Sequence, residues 1–264
     1  MLNLQEVTQR VCDLSKEVGT FIAAERKNFE QVGIEEKGEH DLVTSVDKAA
    51  EKKIVQALSK LIPEAGFIAE EGTAEEKSNQ LNWIIDPIDG TTNFIHGIPC
   101  YSVSIALIDS NKQLLLGVVY EITHDECFYA WKGGGSYLNG QPIQVSKEGD
   151  LNHSLLATGF PYNDYQRLTE YLQLFEDLLK GSRGLRRLGS AAVDLAYLAA
   201  GRCEAFYEYS LHPWDIAAGI LIVEEAGGKV TDFQGGNNYL SGDEIIATNS
   251  SIHSELQERV QRYF

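Results

Sequence analysis

The sequence predicts a chain of two unlike halves, α+β from residue 1 to about 150 and α/β from 151 to 264. Three observations carry this reading. Two helical patterns open the chain, short apolar runs follow with no helix between them, and strands alternate with helices after about residue 150. Leu4, Val7, Val11, Leu14, Val18 and Phe21 step by three and four, the spacing of one face of a long helix. The polar stretch Glu35, Glu36, Lys37, Gly38 and Glu39 reads as a strand pair or loop. Thr44-Ser45-Val46-Asp47 is a helix start, with Thr44 capping and Asp47 three positions on. That helix runs through Ile54, Val55, Leu58 and Leu61 and stops near Pro63.

From residue 66 the period shortens. Gly66 to Ala69 and Trp83 to Ile85 are apolar runs that end in acids, Glu70-Glu71 and Asp86. Val103 to Ile108, Leu114 to Val119 and Cys127 to Ala130 continue as strands of a largely antiparallel sheet. Ser110-Asn111 and Gly133-Gly134-Gly135 mark turns, the latter a hairpin because no helix or Lys follows as a P-loop requires. In the second half, Leu155 to Ala157, Glu204 to Tyr207, Lys229 to Thr231 and Ile245 to Ala247 read as strands. Leu168 to Leu179, Ser190 to Leu198, Trp214 to Ala226 and the run Ile252, Leu256, Val260 read as helices, with Asn163-Asp164-Tyr165 a loop. Gly227-Gly228 closes the third of these. A boundary falls near Gly149-Asp150 without a flexible linker, so the halves are expected to share an interface.

Hydrophobic content of 43% with 23% charged residues fits a folded chain rather than a disordered one. Twenty-two Lys+Arg against 39 Asp+Glu give a net charge of −17. That balance disfavours a nucleic-acid binder and an anionic membrane surface, both of which call for basic groups. An anionic substrate is still possible, provided metal cations receive it. Cys12, Cys100, Cys127 and Cys203 are scattered without zinc spacing, and reduced core thiols are expected. No apolar leader opens the chain and no stretch approaches about 18 apolar residues, so a cytoplasmic protein is the expectation.

The densest chemistry lies in Trp83-Ile84-Ile85-Asp86-Pro87-Ile88-Asp89-Gly90-Thr91-Thr92-Asn93-Phe94. A strand delivers Asp86 to its end, Pro87 stiffens the exit, and Asp89 falls at a helix N-cap. Two carboxylates so placed can face one point, and hard oxygen donors suit Mg²⁺. The N–H groups of Gly90 and Thr91 would be free at the helix start, where phosphate binds well. An N-cap Asp beside a tight turn is the plainer reading of the same residues. Two further segments add to the case: Ile68-Ala69-Glu70-Glu71-Gly72 and His212-Pro213-Trp214-Asp215. Asp215 is a plain cap on one reading and, on the other, a third carboxylate that reaches across the two halves.

These residues resemble the inositol monophosphatase family. The likeness rests on Asp86-Pro-Ile-Asp89-Gly90-Thr91-Thr92-Asn93-Phe94, Trp214-Asp215 and Glu224-Glu225-Ala226-Gly227-Gly228. It extends to Asp41-Leu42-Val43-Thr44-Ser45-Val46-Asp47, Ile68 to Glu71 and Gly189-Ser190-Ala191-Ala192, and so covers essentially the whole chain. The resemblance implies a layered αβαβα sandwich and hydrolysis of a small phosphate monoester by in-line attack of water, with no phosphoenzyme. It implies two to three Mg²⁺: Glu70, Asp86 and the Ile88 carbonyl hold one, and Asp86, Asp89 and Asp215 a second. Glu70 helps place a third through water. Asp47 and Thr91 orient the water, Gly90 and Thr91 N–H groups take phosphate, and Asp89, the Ala191 backbone and Glu208 meet substrate hydroxyls. Residues 1–150 thus carry most metal ligands, and residues 151–264 supply Asp215 and substrate contacts. Lithium sensitivity and a homodimer are further implications.

Thr92 after Asp89-Gly90-Thr91 is similar to the inositol monophosphatase branch, where nucleotide phosphatases tend to carry Lys. A small phosphorylated polyol or sugar is the expected substrate, inositol 1-phosphate foremost, with fructose 1,6-bisphosphate or another sugar or nucleotide monophosphate as the alternative. His212 reads as a neutral structural imidazole. Arg183, Arg186 and Arg187 form a basic patch read as a solvated strand edge or dimer contact, and on the alternative of a regulatory protein they would meet a macromolecular partner. A two-metal nuclease lacks the basic groove it would need.

Overall fold

Helix α1 (Leu4–Lys27) forms on the predicted stripe and buries Val7, Val11, Val18 and Ile22. The computed structural model describes residues 2–27, 35–38, 41–73, 78–161, 165–241 and 243–264, without the side chains of 35–38 and 41–43. Glu39, Asn163 and Asp164 lie outside the described residues, as do the side chains of the stretches at 35–38 and 41–43. A short pair, β1 (Glu35–Gly38) and β2 (Asp41–Val43), leads to α2 (Ser45–Leu61). The cap of α2 is the one read from the sequence. Val46 N–H donates to Thr44 Oγ1 (3.1 Å), and Thr44 N–H donates to Asp47 Oδ2 (2.9 Å).

The first sheet runs in the order β3 (Gly66–Ala69), β4 (Leu81–Asp89), β5 (Ser102–Asp109), β6 (Leu114–Glu121), β7 (Glu126–Trp131), β8 (Gly135–Leu138) and β9 (Gln141–Ile143). Only the β3–β4 pair is parallel, so the C-terminal ends of those two strands lie side by side. Helix α3 (Thr91–His96) follows β4. The second sheet has the order β11 (Gly184–Arg186), β10 (Leu155–Thr158), β12 (Ala205–Tyr209), β14 (Glu244–Thr248) and β13 (Lys229–Thr231). Its first three strands are parallel, whereas β14 is antiparallel to both neighbours, so this half is a mixed sheet. Helices α4 (Leu168–Lys180), α5 (Ala191–Ala199) and α6 (Pro213–Glu225) alternate with β10 to β13, whereas β14 follows β13 with no helix between them and α7 (His253–Val260) comes after β14.

Three apolar clusters fix five layers. Val11 and Ile22 of α1 and Ile54 and Leu58 of α2 pack on Trp83, Ile105 and Val118 of the first sheet. Ile84, Val119 and Phe128 on its other face join Leu195, Ile216 and Ile220 of α5 and α6 and then Phe206 and Ala247 of the second sheet. Tyr171, Leu174 and Leu256 of α4 and α7 cover that sheet from outside with Tyr207 and Ile246. The result is the αβαβα sandwich.

Three details differ from the sequence reading. The strand expected to end at Asp86 continues to Asp89, with an extra residue between the pairs Asp86–Ser104 and Asp89–Ser102. Pro87 has no N–H to give the ladder, and a bulge is where a sheet tolerates that. Asp89 is accordingly the last strand residue, and Gly90 is the N-cap of α3. Strands β8, β9 and β11 were not legible, because each has only three or four residues and is held by its neighbours rather than by its own pattern.

Helix α6 sits between the sheets, and every residue from Ile216 to Val223 is buried, as a helix that is apolar all round requires. It approaches β6 where Gly117 leaves space: a Cβ there would stand 2.6 Å from the Ala218 carbonyl oxygen and 2.9 Å from its Cα. Both obstacles are backbone. Gly117→Ala should therefore destabilise the protein by about 1–3 kcal/mol, read by urea denaturation; unchanged stability would show that α6 is free to shift.

Candidate active site

Asp86 and Asp89 are three residues apart, and in a regular strand an odd spacing points side chains to opposite faces. The bulge at Pro87 supplies the extra residue that returns both to one side. Asp215, third residue of α6, meets them there, and one carboxylate oxygen from each of the three lies within 4.8 Å of the others. His212 N–H donates to Asp215 Oδ2 (2.7 Å) and fixes its direction. Glu70 arrives from the end of β3, where its N–H donates to the Ile85 carbonyl (3.2 Å), and its carboxyl contacts Asp86.

Burial pushes Asp86 well above the ordinary carboxylate range, and the charges of Glu70, Asp89 and Asp215 push it further. Asp215 is raised in the same way, by burial and then by Asp89, against the His212 N–H. Asp89 rises only to about 6, because burial is opposed by the Ser190 hydroxyl, the Ala192 and Ala191 N–H groups and the Arg187 charge. Its Oδ2 accepts from Ser190 Oγ (2.5 Å) and Ala192 N–H (2.8 Å), so a first-half strand is tied to the start of α5. These hard oxygen donors, crowded and desolvated, fit a divalent cation of the Mg²⁺ type. Without one, the three cannot all ionise cheaply.

Thr91 stands beside the cluster. Its hydroxyl is 2.9 Å from the Ile88 carbonyl and 3.0 Å from Asp47 Oδ1 and has one proton to give to either. Asp47 is fully buried and behind Thr91 rather than on the pocket wall. Gly90 holds φ +97° in the left-handed region, and a Cβ would meet the Gly189 carbonyl at 3.0 Å, so only glycine opens α3 here. One pocket is lined by Glu70, Asp86, Ile88, Asp89, Gly90, Thr91, Ala191, Glu208 and Asp215, so the structure brings together every sequence-predicted site residue except Asp47, which reaches it through Thr91.

The arginines part company. Arg183 and Arg186 are exposed about the edge strand β11, but Arg187 lines the pocket, its guanidinium 5.6 Å from the Phe160 ring centre. Reading all three as one surface patch is corrected by that turn of the chain. His212 has its ring stacked on Trp214 with centres 4.7 Å apart. Residues not singled out from the sequence also serve the site. Glu51, fully buried in α2, accepts from Glu71 N–H (2.7 Å), Thr73 N–H (2.8 Å) and Thr73 Oγ1 (2.7 Å), which anchors the loop that carries Glu70. Ser190 caps α5 and holds Asp89; a Ser before Ala-Ala-Val signalled the cap but not the acid 101 residues away.

A sequence profile of the inositol monophosphatase family matches residues 3–264. The chain belongs to the inositol monophosphatase family. This family is one of metal-dependent phosphatases, and the acidic cluster accords with that. Among relatives of this family member, Nus factor SuhB of Escherichia coli K12 is 43% identical over 257 residues, which cover 94% of this chain and 96% of that one. The extragenic suppressor protein suhB of Bartonella henselae is similar in structure, with TM-score 0.93 and 38% identity over 98% of this chain and 100% of that one. The Thermotoga maritima IMPase follows with TM-score 0.88 and 38% identity over 97% and 96%. Among the described residues, no helix of this family member is long and apolar enough to cross a membrane.

The raised carboxyls give a pH signature. Between about pH 4 and 6 the unfolded chain releases the Asp89 proton while the folded chain keeps it, so metal-free stability falls as pH rises through that window. Asp86 and Asp215 extend the loss to higher pH. Cation binding needs the ionised groups and should reverse the trend. Mg²⁺ should therefore raise the thermal midpoint more at pH 8 than at pH 5.5; equal shifts at both would mean that the ion binds elsewhere.

Proposed function

We propose that the chain hydrolyses a small phosphate monoester, inositol 1-phosphate before others, by in-line attack of water without a phosphoenzyme. The observation that carries this reading is the meeting of Asp86, Asp89 and Asp215 beside the Gly90–Thr91 start of α3 and the Thr91–Asp47 contact. Glu70, Asp86, the Ile88 carbonyl, Asp89 and Asp215 would hold Mg²⁺, two or three ions per site. When bound, the metal supplies Lewis-acid stabilisation of phosphoryl and leaving-group charge and makes water more acidic.

The chain's own groups do the rest. Thr91 Oγ1 accepts a proton from the attacking water as its own proton passes to Asp47 Oδ1. Burial raises the proton affinity of Asp47, which suits a base. The N–H groups of Gly90 and Thr91 receive phosphoryl oxygens and need no reorganisation as charge develops there. Asp89, the Ala191 backbone and Glu208 face the hydroxyls of the alcohol portion. Glu208 is raised to about 8, chiefly by burial and against the Arg187 charge. Lithium inhibition, a homodimer and a cytoplasmic location belong to the same reading.

A panel of phosphate monoesters with Mg²⁺, fructose 1,6-bisphosphate included, tests the substrate: inositol 1-phosphate should give the highest kcat/KM. Asp89→Asn and Asp215→Asn should each lower kcat by about 100-fold or more, and near-normal turnover in both would sink the assignment. One observation favours a second role. Relatives at 43% identity bear the name Nus factor, and Arg183 and Arg186 stand exposed for a macromolecular partner. Such binding should survive Asp89→Asn and fail when those two arginines are reversed in charge.

A further inference from the structure

Helix α5 reads Ala-Ala-Val-Asp-Leu-Ala-Tyr-Leu-Ala, and Asp194 is the one charged residue in it. The helix packs in the central apolar layer, where Val193 and Leu195, the neighbours of Asp194, are fully buried. Asp194 is only 1% exposed, yet it lies on the wall of the pocket that holds the acid cluster. Among the described residues no hydrogen bond reaches its carboxyl, and Oδ1 is both buried and unpartnered. The groups that act on it electrostatically are Glu208, Asp89 and Arg187.

A buried carboxyl without a partner costs stability and returns nothing to the fold. Neither does it cap the helix, since Ser190 does that by accepting from Val193 N–H. It sits one turn beyond the residues that grip Asp89 and in the field of Glu208. Burial and the charges of Glu208 and Asp89 favour its neutral form. A neutral carboxyl offers one donor and one acceptor, which is the complement of an alcohol hydroxyl. Phosphate oxygens only accept hydrogen bonds, so they would leave the acceptor oxygens of Asp194 and Glu208 unmatched.

We infer that Asp194 is a specificity-determining residue, its carboxyl paired with Glu208 to receive a hydroxyl of the alcohol portion of a polyol monophosphate. This rests on the phosphatase reading above. The uncharged, hydroxyl-bearing part of the substrate completes the hydrogen bonding of the Asp194 carboxyl, and an ester without hydroxyls leaves it incomplete.

The test compares kcat/KM for inositol 1-phosphate and p-nitrophenyl phosphate in the full chain with Mg²⁺, as wild type, Asp194→Leu and Asp194→Asn. Asp194→Leu should lower the ratio of the two constants by about 10- to 100-fold. Asp194→Asn keeps an uncharged donor and acceptor and should retain most of the ratio. The thermal midpoint should hold or rise in Asp194→Leu, because an unpaired buried carboxyl has been removed. An equal fall on both esters, or an unchanged ratio in both variants, would overturn the assignment. Should Asp194→Leu fail to fold, a fall of the ratio by about 10-fold or more in Asp194→Asn would do the same. If the wild type releases phosphate from no monoester, the phosphatase reading falls by itself. Calorimetric titration of inositol 1-phosphate then tests Asp194 directly, and equal affinity in wild type and Asp194→Leu would reject it.

Discussion

Asp86, Asp89 and Asp215 repel one another, and the two sheets and the helix layer between them bury Asp86 and Asp89 and half-bury Asp215. Left alone, such a cluster would open or take up protons. The protein counters with directed donors: the Ser190 hydroxyl and Ala192 N–H on Asp89, the His212 N–H on Asp215 and the Ile88 N–H on Asp86 Oδ1 at 2.9 Å. None of these carries a full charge. They aim the acids without neutralising them, an arrangement that fits a divalent cation. The negative charge spread over the whole chain concerns its surface, and a loaded metal would invert the sign at the site itself.

That geometry depends on elements far from the chemistry. Helix α6 brings Asp215 from the second half, and its depth is set by the close approach at Gly117 and by the Ser104 hydroxyl, which donates to the Trp214 carbonyl at 3.2 Å. Ser136 likewise donates to the Ile222 carbonyl at 2.5 Å and holds the far end of the helix to the first sheet. Glu51 performs the same service for the loop after β3. Each is a polar tie inside an apolar layer, and each fixes a backbone rather than a ligand. Glu51, Ser104 and Ser136, which make these ties, are themselves buried.

Much of the fold was legible because its long elements carry their own periodicity. The stripe of α1, the Thr44–Asp47 cap and the apolar runs of β4, β5 and β6 are local patterns, and they appear where the residues place them. The edge strands β8, β9 and β11 were not, since partners rather than composition make them strands. Of the site, the acids at strand and helix ends stood out by residue type and spacing. Ser190, Glu51 and Asp194 did not, because a Ser before a helix or a lone acid within one has an ordinary local explanation until its neighbours are known.

The sequence by itself determined which groups exist to do chemistry: carboxylates at the ends of apolar segments, a glycine where α3 begins, and a motif set sufficient for the family resemblance. Tertiary structure decided which of them face one another. The bulge at Pro87 turned Asp86 and Asp89 to one side, the parallel β3–β4 pair set Glu70 beside them, and the α6 layer carried Asp215 across. It also moved Arg187 from the surface patch to the pocket and left the Asp194 carboxyl on its wall without a hydrogen-bond partner among the described residues. The reason is physical. Spacing along a chain fixes direction over a few residues, whereas convergence over a hundred residues depends on how buried layers pack.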